Sequence, residues 1–157
     1  MPCTVVVCGF FGDTGKGKII AYLSLKDKIA VTARAGVGPN AGHTVVHDGK
    51  EYKLRMVPSA FVYEKCRLLV GPGVLINPQI LVQEIELTKS QGRVGVDPQC
   101  AIIEPKHIEA DRRGELAEKI KTTGTGTGPC NAERALRTVK LASDMPELKN
   151  YITDVPL

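Results

Sequence analysis

A glycine-rich segment near the N-terminus, residues 9–18, carries the residues with the clearest chemical potential. Gly12 is separated by four residues from Gly17 and Lys18, which matches the G-x-x-x-x-G-K spacing of phosphate-binding loops. Backbone N–H groups and a lysine in such a loop bind phosphate oxygens. Ile19 stands where that motif has the Ser or Thr that holds Mg²⁺. The segment therefore predicts a modified phosphate site, the alternative being a flexible Gly/Lys turn.

A second glycine-rich segment, residues 36–44, adds an amide and an imidazole. It also follows a predicted strand, and the strand ends of an open parallel sheet meet in the crevice where ligands bind. Asn40 can contact a base or a carboxylate, and His43 can donate a hydrogen bond or a proton near neutral pH. Asp13, in the first loop, offers the oxygen that a metal would need there, and it can pair with His43 as base and acid. The alternative is that His43 is a surface or structural residue.

Alternating strands and helices must position these loops. Apolar, β-branched runs predict strands at residues 4–8, 29–34, 44–46, 52–57, 67–70 and 100–103. Apolar spacing predicts helices from 18 to 25, at 78–91, in part of 104–121, at 132–143 and at 147–151. This order predicts an α/β fold with a mainly parallel sheet flanked by helices. The 4–8 strand is expected to be buried on both faces and to open a strand-loop-helix unit, and Asp48-Gly49 to form a hairpin turn.

Composition excludes several classes of protein. The 157 residues carry 21 Lys+Arg against 17 Asp+Glu, and a formal charge of +4 with 4% aromatic residues argues against a nucleic-acid-binding protein. No apolar run approaches the ~18 residues of a membrane span. The five cysteines are scattered, which argues against a disulfide framework or a zinc site and favours the cytoplasm. His47 and His107 lie outside the glycine loops and are predicted to face solvent.

Four motifs, in chain order, resemble adenylosuccinate synthetase. They are Gly12-Asp13-Thr14-Gly15-Lys16-Gly17-Lys18, Asn40-Ala41-Gly42-His43-Thr44, Gly71-Pro72-Gly73-Val74 before Asn77-Pro78, and Thr122-Thr123-Gly124-Thr125-Gly126-Thr127-Gly128-Pro129. Each string alone could arise by chance, whereas all four in order are specific. The similarity extends from Val5 to Arg137 and looks most like the compact archaeal-type members.

The resemblance implies a GTP-dependent ligase that joins IMP and L-aspartate into adenylosuccinate, with GDP and phosphate as the other products. In that family the γ-phosphate of GTP passes to O6 of IMP, and the aspartate amine then displaces it from the 6-phosphoryl-IMP intermediate. Asp13 falls on the family's general base, which takes the N1 proton of IMP. His43 falls on its general acid at O6. Asp13 and the carbonyl of Gly42 would hold Mg²⁺.

The resemblance also assigns the binding residues. Those expected to bind GTP are Gly12, Asp13, Thr14, Gly15, Lys16, Gly17, Lys18, Gly42, His43 and Thr44. Those expected to bind IMP are Asp13, Thr14, Gly15, Lys16, Asn40, Ala41, Gly42, His43, Thr123 and Arg137. Arg137 is preferred to Arg134 as the arginine that reaches the IMP of the neighbouring subunit, because it lies eight positions after Pro129 (137 − 129 = 8). The resemblance therefore implies a homodimer.

Three features depart from the family pattern. Thr14 replaces an acidic residue and Phe10-Phe11 replaces the usual Gln-Trp. The chain is also much shorter than family members, and the guanine-reading segment and the aspartate-binding loop are not found in it. We therefore expect residues 1–157 to be the N-terminal part of one α/β domain, as a fragment or a split gene product, inactive alone. The alternatives are a P-loop-like nucleotide-binding module and a truncated partner subunit without ligase activity.

Overall fold

The fold consists of short strands alternating with helices. The computed structural model describes residues 3–10, 12, 14–113 and 121–153. The strands are β1 (Val31–Arg34), β2 (His43–His47), β3 (Lys50–Leu54), β4 (Arg67–Val70), β5 (Leu75–Ile76), β6 (Val94–Val96) and β7 (Ala101–Ile102). The α-helices are α1 (Lys16–Asp27), α2 (Pro78–Leu87), α3 (Pro105–Arg113) and α4 (Thr127–Ala135). Short 3-10 turns cover Ser59–Val62, Ala142–Asp144 and Pro146–Tyr151.

The central sheet is parallel, in the order β1-β4-β6. The aliphatic side chains of β4 explain its central place, since Leu68 and Val70 are fully buried. Helix α2 contributes Leu81 and Ile85 to the same core. The side chain of Asn77 caps α2 by accepting the Ile80 N–H at 3.1 Å. The predicted α/β fold with a parallel sheet is confirmed.

Two smaller units flank this sheet. Strands β2 and β3 form an antiparallel hairpin whose turn residues, Asp48 and Gly49, have φ values of 49° and 73°. The predicted Asp-Gly turn is thus confirmed, because the tight hairpin turn needs positive φ at both positions. The parallel pair β5-β7 packs with α4 through a separate apolar cluster that includes Leu75 and Cys130.

The N-terminal segment 4–8 differs from the prediction of a buried strand. It is assigned neither helix nor strand, and Val5 and Val7 are 76% and 79% exposed. The physical reason is that a strand needs hydrogen-bonded neighbours, and no strand in the described part of the chain forms a ladder with this segment. Helix α1 nevertheless follows the glycine loop, as predicted.

The C-terminal helices also differ from the prediction. The helix predicted at 132–143 begins earlier, at Thr127, after Gly126 in the left-handed conformation, and it ends at Ala135. The chain leaves the helix where Arg137 adopts a left-handed φ of 60°, and farther on the carbonyl of Lys140 accepts the N–H of Ile102 at 2.9 Å, which ties the chain to β7. The predicted helix at 147–151 is a 3-10 turn. The helix predicted within 104–121 is α3, and residues 114–120 lie outside the described part.

Candidate functional site

The two glycine-rich loops line one cleft of about 920 Å³. The lining residues are Cys8, Phe10, Gly12, Thr14, Gly15, Lys16, Gly17, Lys18, Asn40, Ala41, Gly42, His43 and Thr44. The lining residues from Cys8 to Lys18 belong to the first loop and the start of α1. Those from Asn40 to Thr44 belong to the loop that leads into β2 and to the start of that strand. Asp13 lies outside the described residues, although Gly12 and Thr14 on either side of it line the cleft. The two predicted loops therefore come together, and the role of Asp13 stays a prediction.

Gly17 of α1 and His43 of β2 are in close contact. A Cβ added to Gly17 would lie 2.7 Å from Cβ of His43 and 2.9 Å from its Nδ1. Real Cβ atoms do not come this near, so only glycine leaves room for the imidazole. The second glycine of the phosphate-loop motif thus also seats the histidine of the second loop.

The start of α1 can bind an anion. The helix begins at Lys16, after Gly15 in the left-handed conformation with a φ of 75°, and among the described residues no side-chain hydrogen bond caps it. The first N–H groups of a helix have no partner within it, and its dipole places partial positive charge there. Lys16 and Lys18 line the same cleft. This set of donors and positive charges suits a phosphate group.

His43 is neutral in the unliganded protein. Burial, followed by the positive charges of Arg34 and Lys16, lowers the pKa of His43 to about 4. A neutral imidazole still offers one N–H donor to an oxygen. An anion bound in the cleft would raise the pKa of His43, because it favours the charged form. In the cleft, the neutral imidazole of His43 can therefore act as a hydrogen-bond donor.

Arg34 is a residue that sequence reasoning missed. It ends β1, is only 9% exposed, and its Nη2 donates to the carbonyl of Gly38 at 2.8 Å and to that of Ala41 at 3.5 Å. These bonds fix the second glycine loop from inside the protein. A charged residue closing an apolar strand just before a glycine loop is the signal that could have revealed it.

Glu84 balances this buried positive charge. Its carboxylate, on the buried face of α2, accepts three backbone N–H groups, from Arg55 at 2.6 Å and from Met56 and Val57 at 2.8 Å each. Burial lowers the pKa of Arg34, and the charge of Glu84 opposes that shift. Glu84 therefore holds the segment after β3 and supports the charge under the second loop. A glutamate among the apolar core residues of α2 is the sequence signal that could have revealed this role.

Hydrogen bonds hold the Thr/Gly loop before α4 in place. The carboxylate of Asp111 accepts the Gly126 N–H at 2.9 Å, and the hydroxyl oxygens of Thr123, Thr125 and Thr127 are joined in sequence at 2.9 Å each. A Cβ added to Gly38 would lie 3.5 Å from Oγ1 of Thr127, so the loop adjoins the second glycine loop. Thr123 is exposed and is not part of the cleft lining.

The two candidate arginines differ in their contacts. Arg134 donates to the carbonyl of Gly73 at 3.1 Å and so ties α4 to the third motif. Arg137 lies beyond the end of α4, exposed, with a φ of 60°. An exposed side chain suits a reach towards another subunit, and the assignment of Arg137 remains a prediction.

A second group of charged residues links α3 to α4. One ligand atom from each of Glu104, His107 and Glu133 lies within 4.8 Å of the others, a spacing that a metal ion could use. The ammonium groups of Lys106 and Lys140 already neutralise both carboxylates, at 2.8 Å from Glu133 and 2.6 Å from Glu104. We therefore assign this cluster a structural role.

The prediction that His107 faces solvent is wrong. The side chain is 2% exposed, its Nδ1 accepts the N–H of Glu104, and its Nε2 lies 3.0 Å from Oε2 of Glu133, although not on a good hydrogen-bond line. It is buried because its helix face packs on α4. The prediction for His47 also needs revision, since its side chain is 29% exposed and contacts the ring of Phe61 edge-on.

A magnesium ion would need hard oxygen ligands at the cleft. Gly42 lines the cleft and is exposed. This fits the predicted use of the Gly42 carbonyl, whereas Asp13 lies outside the described residues.

Among the described helices, none has both the length and the apolar character that a membrane crossing requires.

Comparisons with known proteins agree with the four motifs. The family model for adenylosuccinate synthetase matches residues 5–154. The adenylosuccinate synthetase of Archaeoglobus fulgidus is 56% identical over 158 residues, which cover 100% of this chain and 47% of the relative. That of Pyrococcus horikoshii is 52% identical over 99% of this chain and 47% of its own length. The chain thus spans about half the length of the curated relatives it matches.

Solved structures agree with the fold. The fully ligated adenylosuccinate synthetase of Plasmodium falciparum has a TM-score of 0.78 and 31% identity, covering 89% of this chain and 34% of its own. The succinoaminodeoxyadenylate synthetase (PurZ) of cyanophage S-2L, bound to dGMP and to dATP as an energy donor, has a TM-score of 0.80 and 26% identity. That match covers 92% of this chain and 43% of the phage protein.

Proposed function

The chain belongs to the adenylosuccinate synthetase family, and from this we propose that it forms the nucleotide-binding part of a GTP-dependent ligase. The complete enzyme would join IMP and L-aspartate into adenylosuccinate and release GDP and phosphate. The observation that carries the proposal is the convergence of both glycine loops on one cleft, with His43 seated against Gly17. Residues 1–157 would be the N-terminal part of a single α/β domain, active only with the rest of that domain.

The first loop and the start of α1 would bind the phosphates of GTP. The N–H groups of the first turn of α1, with Lys16 and Lys18, supply donors and positive charge. Phosphoryl transfer depends mostly on positioning and on charge stabilisation, which such a loop provides without moving. The remaining GTP contacts would come from Gly12, Asp13, Thr14, Gly17, Gly42, His43 and Thr44.

Asp13 would remove a proton from IMP, and His43 would donate a hydrogen bond to it. Asp13 would take the N1 proton, so that O6 gains the electron density to attack the γ-phosphate. The neutral imidazole of His43 would donate its N–H to O6 and stabilise the charge that develops there. A phosphate anion beside His43 would favour its charged form, so His43 would also hold a proton when phosphate leaves.

IMP would lie across the second loop and the Thr/Gly loop. Asn40 and Ala41 line the cleft beside His43, and Arg34 holds that segment from behind. Thr123 would contact IMP after a short closing movement, because the loop adjoins Gly38 and does not line the cleft. Arg137 would come from the partner subunit of a cytoplasmic homodimer.

Mg²⁺ would be held by Asp13 and the carbonyl of Gly42. When bound, it supplies positive charge that neutralises the transferring phosphate. The oxygen donors suit magnesium, and they take the place of the hydroxyl that Ile19 cannot offer.

The proposal is tested by reconstituting the complete domain. We would join this chain to the remaining half of the Archaeoglobus fulgidus synthetase and measure adenylosuccinate formed from IMP, aspartate and GTP with Mg²⁺. Asp13→Asn and His43→Asn should each lower turnover by at least about a hundredfold, within the range for losing a general acid or base. Asp27→Asn and His47→Asn are matched controls and should retain activity. A joined enzyme that makes adenylosuccinate equally well after Asp13→Asn would contradict the assignment.

The same enzyme separates two other hypotheses. A nucleotide-binding module without ligase chemistry would bind GTP tightly and form no adenylosuccinate. A substrate preference like that named for the cyanophage protein would show as turnover with dGMP and dATP in place of IMP and GTP. The 56% identity to the Archaeoglobus fulgidus synthetase, against 26% to the phage protein, favours IMP and GTP.

A further inference from the structure

Asp111 is a buried acid that ties the Thr/Gly loop to helix α3. The residue is 8% exposed, and Oδ2 of its side chain accepts the N–H of Gly126 at 2.9 Å. Its main-chain carbonyl accepts the hydroxyl of Thr122 at 3.3 Å. A buried carboxylate costs free energy unless it is hydrogen-bonded, so the bond to Gly126 has a physical reason to persist. One residue of α3 therefore holds the loop at two points.

Gly126 lies against α3 without room for a side chain. Its φ is 79°, and a Cβ added there would lie 2.9 Å from the main-chain N of Ile108 and 3.0 Å from the carbonyl carbon of His107. Neither backbone atom can rotate away as the end of a side chain could. This contact and the bond to Asp111 act at the same residue, so α3 sets the position of the loop.

The hydroxyl groups of three threonines that flank Gly126 in the sequence form a row. Oγ1 of Thr125 lies 2.9 Å from that of Thr123 and 2.9 Å from that of Thr127. Three hydroxyl groups carry three protons and the two bonds use two of them, so the row has one proton left for an outside acceptor. An anion at the exposed Thr123 end would make every hydroxyl donate in its direction, and the bonds of such a chain strengthen one another. The row can therefore present one oriented donor to a phosphate oxygen.

We propose that Asp111 and Thr125 are positioning residues for the 5′-phosphate of IMP. This inference rests on the proposed function, in which Thr123 contacts IMP. Asp111 fixes Gly126 on α3, and the row of hydroxyl groups keeps its spacing because the loop cannot shift. Thr127 then donates to Thr125 and Thr125 to Thr123, whose own proton goes to a phosphate oxygen. A donor that is oriented before IMP binds loses less conformational entropy on binding.

Steady-state kinetics of the chain joined to the Archaeoglobus fulgidus half test the role of Asp111. Asp111→Ala should raise KM for IMP by about tenfold or more while kcat and KM for GTP change less than about threefold, because the lost bond holds the loop that contacts IMP. Asp111→Asn should bring KM for IMP back to within about threefold of the wild-type value, since its amide oxygen can accept the same N–H. Glu109→Ala, at an exposed acid on the same helix, is the matched control and should leave both KM values unchanged.

A phosphate-free ligand and a second pair of variants show which part of IMP the loop recognises. Inosine, which is IMP without its phosphate, should inhibit the wild-type enzyme and the Asp111→Ala variant with the same inhibition constant. Thr125→Val removes the middle hydroxyl of the row and leaves the bond from Gly126 to Asp111 intact, so it tests the row even if Asp111→Ala does not fold. It should raise KM for IMP by about fivefold, and Thr125→Ser should restore the wild-type value.

An unchanged KM for IMP in Asp111→Ala or in Thr125→Val would overturn the inference. So would an equally large loss of inosine inhibition, or an Asp111→Asn variant as defective as Asp111→Ala, because neither result fits the loss of one oriented phosphate donor. An active wild-type enzyme with any of these results contradicts this inference alone. A wild-type enzyme that binds no IMP contradicts the proposed function as well, so the two failures are distinguishable.

Discussion

The two walls of the cleft are held in different ways. The second glycine loop is fixed from inside the protein by Arg34, whose charge is balanced by Glu84 on α2. The first loop has local bonds, such as the N–H of Gly12 to the carbonyl of Phe10 at 3.2 Å, and its preceding segment is exposed. One wall is therefore complete within this chain, whereas the other depends on a segment that has no strand partner in the described part. The wall formed by the second loop is therefore preorganised within this chain, whereas the wall formed by the first loop is not.

The largest expected effect comes from removing the carboxylate of Glu84, which holds the segment after β3. Glu84→Ala should lower the free energy of unfolding by about 3 kcal/mol or more, because it leaves the buried N–H groups of Met56 and Val57 and a part-buried third one unpaired, and removes a negative charge that acts on Arg34. Urea unfolding followed by circular dichroism would measure it. Glu86→Ala, an exposed position on the same helix, should change stability by less than about 0.5 kcal/mol. Equal effects at the two positions would mean that this segment is not held by the carboxylate.

An intermediate effect is expected where the two walls touch. Gly17→Ala should destabilise the chain by about 1–2 kcal/mol although alanine favours helix, because the added methyl group meets Cβ of His43. Gly36→Ala is the control, since a Cβ there meets nothing. Thermal unfolding and the NMR signals of His43 would report the change. A more stable Gly17→Ala variant with unchanged His43 signals would show that the loops do not pack together as described.

The smallest expected effect concerns the thiol of Cys8, which lies in the wall formed by the first loop. A hydrogen bond from the hydroxyl of Thr14 to the sulfur of Cys8, at 3.1 Å, is the main cause that lowers the pKa of Cys8 to about 7. The reactive thiolate grows as pH rises through that pKa, so iodoacetamide should modify Cys8 faster than exposed Cys3 at neutral pH. Thr14→Val should raise the pKa and slow Cys8 alone. Peptide mass spectrometry would measure both rates, and an unchanged Cys8 rate would refute the bond in solution.

Local patterns explain what the sequence predicted well. The Asp48-Gly49 turn and the start of α2 at Pro78 depend on neighbouring residues, and β4 contains the aliphatic run Leu68, Leu69 and Val70. The convergence of the two loops followed from motif and strand order. The sequence patterns did not predict the features that depend on long-range contacts. Whether 4–8 forms a strand depends on neighbouring strands, which the described part of the chain does not place beside it, and the chain after α4 is tied to β7 by the bond from Ile102 to the carbonyl of Lys140.

The same distinction applies to the site. The side chains of a phosphate loop were recognisable from spacing, because their chemistry is fixed by the backbone around them. Arg34 and Glu84 act through partners distant in sequence, and burial of His107 depends on the packing of α3 against α4. Those features require tertiary contacts that one sequence does not display.

The central claim is that both glycine loops bind one nucleotide assembly, and NMR titration of the chain tests it directly. GDP with Mg²⁺, followed by IMP, would be added to the labelled protein while backbone amide signals are recorded. The account predicts that signals of residues 15–18 and 42–44 shift together with one dissociation constant, and that Val46 does not respond. Saturation of the first loop with no change at residues 42–44 would contradict it.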